Sequence, residues 1–336
     1  MRFYSFIIPV YNRPDELAEL LQCLMQQTYT HFEVVVVEDG SKMKADEVVK
    51  RYENQLKITY FYKENGGQGF ARNSGIERAS GDYFIILDSD ALIEPTYLEQ
   101  VEGHLNSSYL DLYGGPDTDH PSFTPIQKAI SYSMTSLFTT GGIRGKKNNV
   151  GGQFHPRSFN MGLSRAVWEK TKGFKLTRMG EDIEFSIRAI AMGFKSGLIP
   201  EAFIYHKRRT NFAAFYRQLN FFGKARINIS RFFPSELKWV HFFPAAFTLM
   251  VYSVPVFLIV FAPLGLLQLA VLVIYSLLIG LDSFQKYKNL AIALLSIRAA
   301  FTQLIAYGNG FLSEGWKKLN EPKGSQQMGT GVEYPS

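Results

Sequence analysis

Residues 242–281 contain no Asp, Glu, Lys, Arg or His, and no other stretch limits the fold as strongly. A forty-residue run without a full charge cannot lie on a water-exposed surface without presenting a large apolar patch. Pro263, Leu264 and Gly265 divide the run near its middle. A helix interior tolerates neither the missing N–H of proline nor the clash of its ring, which argues against one long helix. As helices rising about 1.5 Å per residue, the two halves, about 242–262 and 265–281, each come close to the roughly 30 Å of a bilayer core. The run therefore predicts a transmembrane helical hairpin. Residues 289–306 are also apolar but carry Arg298 and Gln303, and they read as an amphipathic helix lying in the interface. Lys224, Arg226, Arg231 and Lys238 precede the hairpin, and Lys286, Lys288, Lys317 and Lys318 follow it. The excess of positive charge on cytoplasmic flanks then places both ends on that side.

The first third has a different texture. Apolar, β-branched runs at 6–10, 32–37, 58–62, 83–87 and 109–113 alternate with helical spacing at 14–27, 45–54 and 68–78. Strand and helix in alternation predict an α/β, mostly parallel sheet covered by helices on both faces. Ligands of such sheets bind beyond the carboxyl ends of the strands, where Asn12, Asp39 and Asp88 fall.

The segment Gly-Asp-Tyr-Phe-Ile-Ile-Leu-Asp-Ser-Asp-Ala at 81–91 joins that pattern to chemistry. Its apolar centre reads as a buried strand, and Asp88 and Asp90 close it at i and i+2. If extended geometry persists, both carboxylates leave one face and make a hard-oxygen site for a divalent cation. A strand end whose acids cap the next helix, within 91–100, is the competing reading. Arg72 suits either a phosphate or an ion pair with Asp88 or Asp90. Glu181 and Asp182 open an amphipathic helix, where the helix dipole favours acids whether or not they react.

Composition narrows the partners. Residues 1–120 carry a net −10 and residues 121–336 a net +16, against +6 for the whole chain. The basic part has no nucleic-acid motif and adjoins the apolar run, so it points to anionic lipid or phosphorylated substrate, with no nucleic acid. The lone Cys23 excludes an intrachain disulfide, and no Cys/His spacing suits zinc. Neither a P-loop nor Gly-x-Gly-x-x-Gly occurs, which disfavours NTPases and dinucleotide oxidoreductases. The opening apolar residues are interrupted by Asn12, Arg13, Pro14 and Asp15, too soon for a signal peptide, so the amino terminus is expected to stay cytoplasmic. The irregular, Gly-rich and basic stretch 141–152 reads as a loop, either a lid over a phosphate-bearing substrate or a solvated turn.

Five motifs in order resemble the family 2 glycosyltransferases, which have the GT-A fold. They are Ile-Ile-Pro-Val-Tyr-Asn-Arg at 7–13, Val-Val-Glu-Asp-Gly-Ser at 36–41, Asn-Gly-Gly-Gln-Gly-Phe-Ala-Arg-Asn at 65–73, Asp-Ser-Asp at 88–90 and Gly-Glu-Asp at 180–182. The resemblance covers about 5–210. It implies a Rossmann-like nucleotide-binding half, with Pro9, Tyr11, Arg13, Asp39, Arg72 and Asp88 around a nucleotide-sugar. It further implies Asp90 as ligand to Mg²⁺ or Mn²⁺, His206 as a further group at the metal or diphosphate, and Asp182 as general base. Glu38 stands where the family often has Asp, and Lys172 where a glycine is common.

These readings combine into three expected regions. Residues 1–115 form the nucleotide-sugar half, 116–235 the acceptor and base half of the same domain, and 236–320 the membrane region, with 321–336 a disordered tail. The expected activity is an inverting, metal-dependent, hexosyltransferase-like glycosyltransferase at the cytoplasmic face of the inner membrane. It would move one sugar to a lipid-linked or other glycan acceptor in cell-surface polysaccharide or glycolipid synthesis. A polyprenyl-phosphate glycosyltransferase and a catalytically inactive nucleotide-sugar-binding scaffold are the alternatives. Membrane lipids are expected partners, and a homo-oligomer is left open. Processive polysaccharide synthases carry Gln-x-x-Arg-Trp and more spans, and this chain lacks that motif.

Overall fold

The computed structural model describes residues 1–140, 154–176 and 178–321. The basic stretch 141–152, with Lys146 and Lys147, and the tail beyond Glu321 lie outside the described residues. Among the described residues the chain divides into two compact units, Met1–His120 with residues 154–207, and residues 121–140 with 208–321. That division differs from the boundaries drawn at 115 and 235 from sequence: residues 121–140 join the helical unit, and so do residues 208–235.

In chain order the elements begin with β1 (Tyr4–Val10), α1 (Pro14–Met25), β2 (Phe32–Asp39), α2 (Asp46–Lys50), β3 (Ile58–Lys63) and α3 (Gln68–Arg78). There follow β4 (Tyr83–Leu87), β5 (Ala91–Leu92), α4 (Tyr97–Ser107), β6 (Leu112–Gly114) and β7 (Asp117–Thr118). Helices α5 (Pro125–Thr135) and α6 (Leu137–Thr140) belong to the second unit. Then come β8 (Asn160–Ser164), α7 (Arg165–Thr171), α8 (Glu181–Ala191), β9 (Ser196–Leu198) and β10 (Ile204–His206). The chain closes with α9 (Phe212–Ile229), α10 (Phe243–Val260), α11 (Ala262–Tyr287) and α12 (Leu290–Asn320).

The first unit is built on a seven-stranded sheet in the order β3-β2-β1-β4-β8-β6-β9. Strands β3, β2, β1 and β4 are parallel, as the alternation requires. Strand β8 runs antiparallel to both β4 and β6. Every residue of β4 is buried, which is why it reads as an unbroken apolar run. Side chains alternate across the sheet, so Phe6, Ile8 and Val36 join one core and Ile7, Val35 and Val37 the other. A three-stranded sheet, β5-β10-β7, sits beyond the end of β4. Its β10 pairs antiparallel with β5, placing His206 opposite Ala91.

The second unit is helical. Among the described residues three helices are long and apolar enough to cross a membrane: Trp239–Val260, Ala262–Tyr287 and Leu290–Asn320. The break expected at 263–265 falls at Phe261, which is extended (φ −151°, ψ 79°). Pro263 lies in the first turn of α11, where a missing N–H costs nothing. A side chain on Gly265 would come within 2.5 Å of the Leu258 nitrogen, so glycine lets the two helices close at their turn. Helix α12 starts where the interfacial helix was expected but continues fourteen residues past 306.

Candidate active site

At or just beyond the carboxyl ends of β1, β2 and β4 lie Arg13, Asp39, Asp88 and Asp90. Asp39 ends β2, and the turn at Gly66 and Gly67 closes around it. Its Oδ1 accepts from the Gly66 N–H at 2.9 Å and from Lys63 Nζ at 2.8 Å, and its Oδ2 accepts from the Gly67 N–H at 3.1 Å. Gly67 has φ +89°, a conformation that a side chain would strain. Glu38, which stands where family 2 glycosyltransferases often have aspartate, is fully buried and accepts from Ser41 Oγ, the Ala45 N–H and Tyr60. Ser41 Oγ in turn accepts from the Asn12 N–H at 2.7 Å, which ties the ends of β1 and β2. Pro9 lies within β1 opposite Val37, and Tyr11 is 53% exposed beyond it.

Asp88 and Asp90 meet by a different route from the one expected. Strand β4 stops at Leu87 and the chain turns at Ser89 and Asp90, so extended geometry does not carry through the pair. The turn and the β5–β10 pairing bring them together with His206 instead. His206 Nε2 lies 3.0 Å from Asp90 Oδ1 and 3.8 Å from Asp88 Oδ2. One ligand atom from each of the three residues lies within 4.8 Å of the others. The His206 ring stacks on Phe159 at 5.5 Å, with the two ring planes nearly parallel (9°).

Arginines hold the opposite oxygens of both carboxylates. Arg13 donates to Asp90 Oδ2, and Arg72 donates to Asp88 Oδ1 at 3.2 Å. Burial pushes the Asp90 carboxyl up, but His206 and Arg13 outweigh it and hold the group well below the usual carboxylate range. Arg72 is 2% exposed and also donates to Glu181 Oε1 at 2.9 Å. Burial disfavours its charge, yet Asp88 and Glu181 leave its pKa raised.

Glu181 and Asp182 start α8. Gln68 donates to Glu181, and burial together with the neighbouring Asp182 raises the Glu181 pKa against the opposing pull of Arg72. Gly69 admits this approach, since a side chain there would meet the Leu176 carbonyl at 2.1 Å. Asp182 is held less firmly. Its Oδ1 accepts from the Ile183 N–H at 2.8 Å and lies 3.4 Å from Arg157 Nη1. Arg157 and Lys63 were missed from sequence: both touch a candidate acid, but neither falls in a motif or a periodic segment.

Residues 5–169 match the family model described as glycosyl transferase family 2. That segment is a family 2 glycosyltransferase domain. An uncharacterised glycosyltransferase of Rickettsia typhi is 44% identical to the chain over 102 residues, which is 30% of this chain and 31% of the relative. Glycosyltransferase GlyA of Streptococcus pneumoniae is 42% identical over 96 residues, 28% of this chain and 14% of the relative. The chain thus covers less than a third of the length of these curated relatives. A mannosyltransferase from Pyrobaculum calidifontis, solved in complex with GDP-Man and Mn²⁺, superposes with a TM-score of 0.62 at 18% identity, over 94% of this chain and 88% of that one. The family 2 domain therefore has a GT-A-like fold, and Asp39, Asp88 and Asp90 fall within its matched residues.

Proposed function

We propose that the protein is a membrane-associated, metal-dependent inverting glycosyltransferase that uses a nucleotide-sugar donor. The convergence of Asp88, Asp90 and His206 beyond the end of β4 carries this reading. Two carboxylates and an imidazole suit Mn²⁺ or Mg²⁺, and the oxygens facing His206 are those the arginines leave available. The fold neighbour holds GDP-Man and Mn²⁺, which supports the same donor class here. A cation bound by Asp90, Asp88 and His206 would offset the charge of the nucleoside diphosphate leaving group.

The remaining roles belong to side chains. Asp39, fixed by the Gly66 and Gly67 N–H groups, borders the nucleotide site with Pro9, Tyr11 and Arg13 and offers its carboxylate to a base. Arg72 positions Asp88 against Glu181. Asp182 takes the proton from an acceptor hydroxyl as that oxygen attacks the anomeric carbon opposite the leaving diphosphate, and a single displacement inverts the configuration. The acceptor is a lipid-linked saccharide, a reading supported by the apolar helices and the basic residues that flank them. The flanking lysines favour the cytoplasmic face of the inner membrane, and the product class is cell-surface polysaccharide or glycolipid.

The test is a binding and hydrolysis screen of GDP- and UDP-linked sugars with Mn²⁺ or with EDTA. At least one donor should bind only with the cation. Binding of none, or equal binding in EDTA, would overturn the assignment. Transfer to a water-soluble sugar as fast as to a lipid-linked one would overturn the acceptor class.

A further inference from the structure

Length and composition allow α12 to span a bilayer, but its contacts within the helical unit do not follow the path of a span. In an up–down–up bundle, a third helix leaves the end of the second and finishes beside the end of the first. Helices α10 and α11 form the expected hairpin: Gly265 packs on Leu258 near the turn, Gln268 donates to Ser253 at 3.0 Å, and Tyr275 meets Phe247 at 5.6 Å. Phe242 and Ser283 therefore both lie at the base of the hairpin, far along the chain from its turn at Phe261. Helix α12 touches the base at both places. Ser296 shares a 2.8 Å hydrogen bond with Ser283, and Phe311, fifteen residues later, packs on Phe242 at 5.1 Å. Between them Phe301 meets Tyr275 at 5.9 Å and Phe247 at 5.4 Å, and the Leu304 carbonyl accepts from Thr248 at 3.3 Å. Helix α12 thus crosses the base of the hairpin instead of running from base to turn.

Helix α9 gives an independent argument. It runs beside α12 in the same direction, from Phe212 beneath Arg298 (4.5 Å), through Asn220 on the Ala306 carbonyl (3.2 Å), to Ser230 against Lys318 (2.9 Å). Helix α9 carries Arg217, Lys224 and Arg226 and is not apolar enough to cross. A helix packed alongside it from Arg298 to Lys318 shares its depth. Arg298 is exposed on α12 and lies over the Phe212 ring at 4.5 Å, a position that a lipid-facing span would disfavour. Trp239 and Trp316, 89% and 71% exposed, stand near the ends of the Phe242–Phe311 contact, and tryptophan favours the headgroup level.

We propose that α12 and α9 lie together in the plane of a single leaflet and that only the α10–α11 hairpin enters the bilayer. Lys288, before α12, and Leu319, near its end, then face the same side of the membrane. This topology does not depend on the catalytic reading.

The experiment uses the full chain with Cys23→Ser and a single cysteine at Lys288→Cys or Leu319→Cys, with Ser313→Cys as a second probe of the far end. Sealed right-side-out cells and inverted vesicles are treated with a membrane-impermeant maleimide, and detergent-solubilised samples measure total reactivity. All three positions should react on one face and be protected on the other. Reaction of Lys288→Cys on one face and of Leu319→Cys or Ser313→Cys on the other would make α12 a span. Failure of both far-end probes on either face, despite reaction in detergent, would place that end inside the bilayer and equally overturn the proposal.

Discussion

Two acidic clusters in the α/β unit are held in opposite ways. Around Asp88 and Asp90 each carboxylate has one oxygen fixed by an arginine and the other turned to His206. At Asp182 a single carboxylate rests on its own helix N–H and on a half-exposed Arg157 at 3.4 Å. A group that must hold a cation in a set place gains from a rigid mount, because orientation is settled before the ligand arrives. A group that must take up and release a proton gains from contacts weak enough to exchange. The contrast favours the proposed division, with the cation at the first cluster and the proton at the second.

The largest expected effect breaks the second cluster. Asp182→Asn keeps the shape and removes the base, so turnover should fall about 10²–10⁴-fold while donor affinity is unchanged. Single-turnover transfer and donor titration, measured together, check the split, and near-normal turnover would reduce Asp182 to a helix-capping acid. Next comes the link between the clusters. Arg72→Met leaves Glu181 buried without its cation, a change that costs about 3–5 kcal/mol in comparable buried pairs. Denaturant unfolding checks it, and a loss below about 1 kcal/mol would mean that Arg72 is not the tie.

A smaller effect concerns acid. The Asp90 pKa is depressed in the folded protein, so its ionised form favours folding. That contribution is complete above the unfolded value of about 3.9 and is lost as pH falls through the lower folded value. In chelator-treated protein the stability of Asp90→Asn should therefore depend less on pH below about 4 than that of the unaltered chain. Parallel acid limbs would mean that Arg13 and His206 do not stabilise the charge. The smallest effect belongs to Arg157→Gln. A half-exposed pair at this distance contributes about 0–1 kcal/mol, so the midpoint of unfolding should barely move.

How much of this was legible varies with the physics of each element. The bounds of α3 and β4 follow from sequence because Gly- or Asp-containing segments close each on both sides and β4 is an unbroken apolar run. The positions of Asp39 and Asp182 were legible because strand ends and helix starts are places where acids have local reasons to be. The meeting of Asp88 and Asp90 was expected for the wrong geometric reason. It depends on the β5–β10 pairing, and strands of two and three residues are too short to show alternation. Arg157 lies in an irregular segment and reaches Asp182 only through tertiary folding. For α12, Arg298 and Gln303 within 289–306 suggested an interfacial helix, while its extension to Asn320 and its packing on α9 depend on contacts distant in sequence.

The central claim is that Asp88, Asp90 and His206 hold one divalent cation. Electron paramagnetic resonance of a Mn²⁺ titration counts bound ions directly, because the six-line signal of free Mn²⁺ is lost on binding. With a nucleoside diphosphate present, the account predicts one site in the unaltered protein and its loss, by more than about 100-fold in affinity, in both Asp90→Asn and His206→Gln. Equal Mn²⁺ binding in the unaltered protein and in both variants would contradict it.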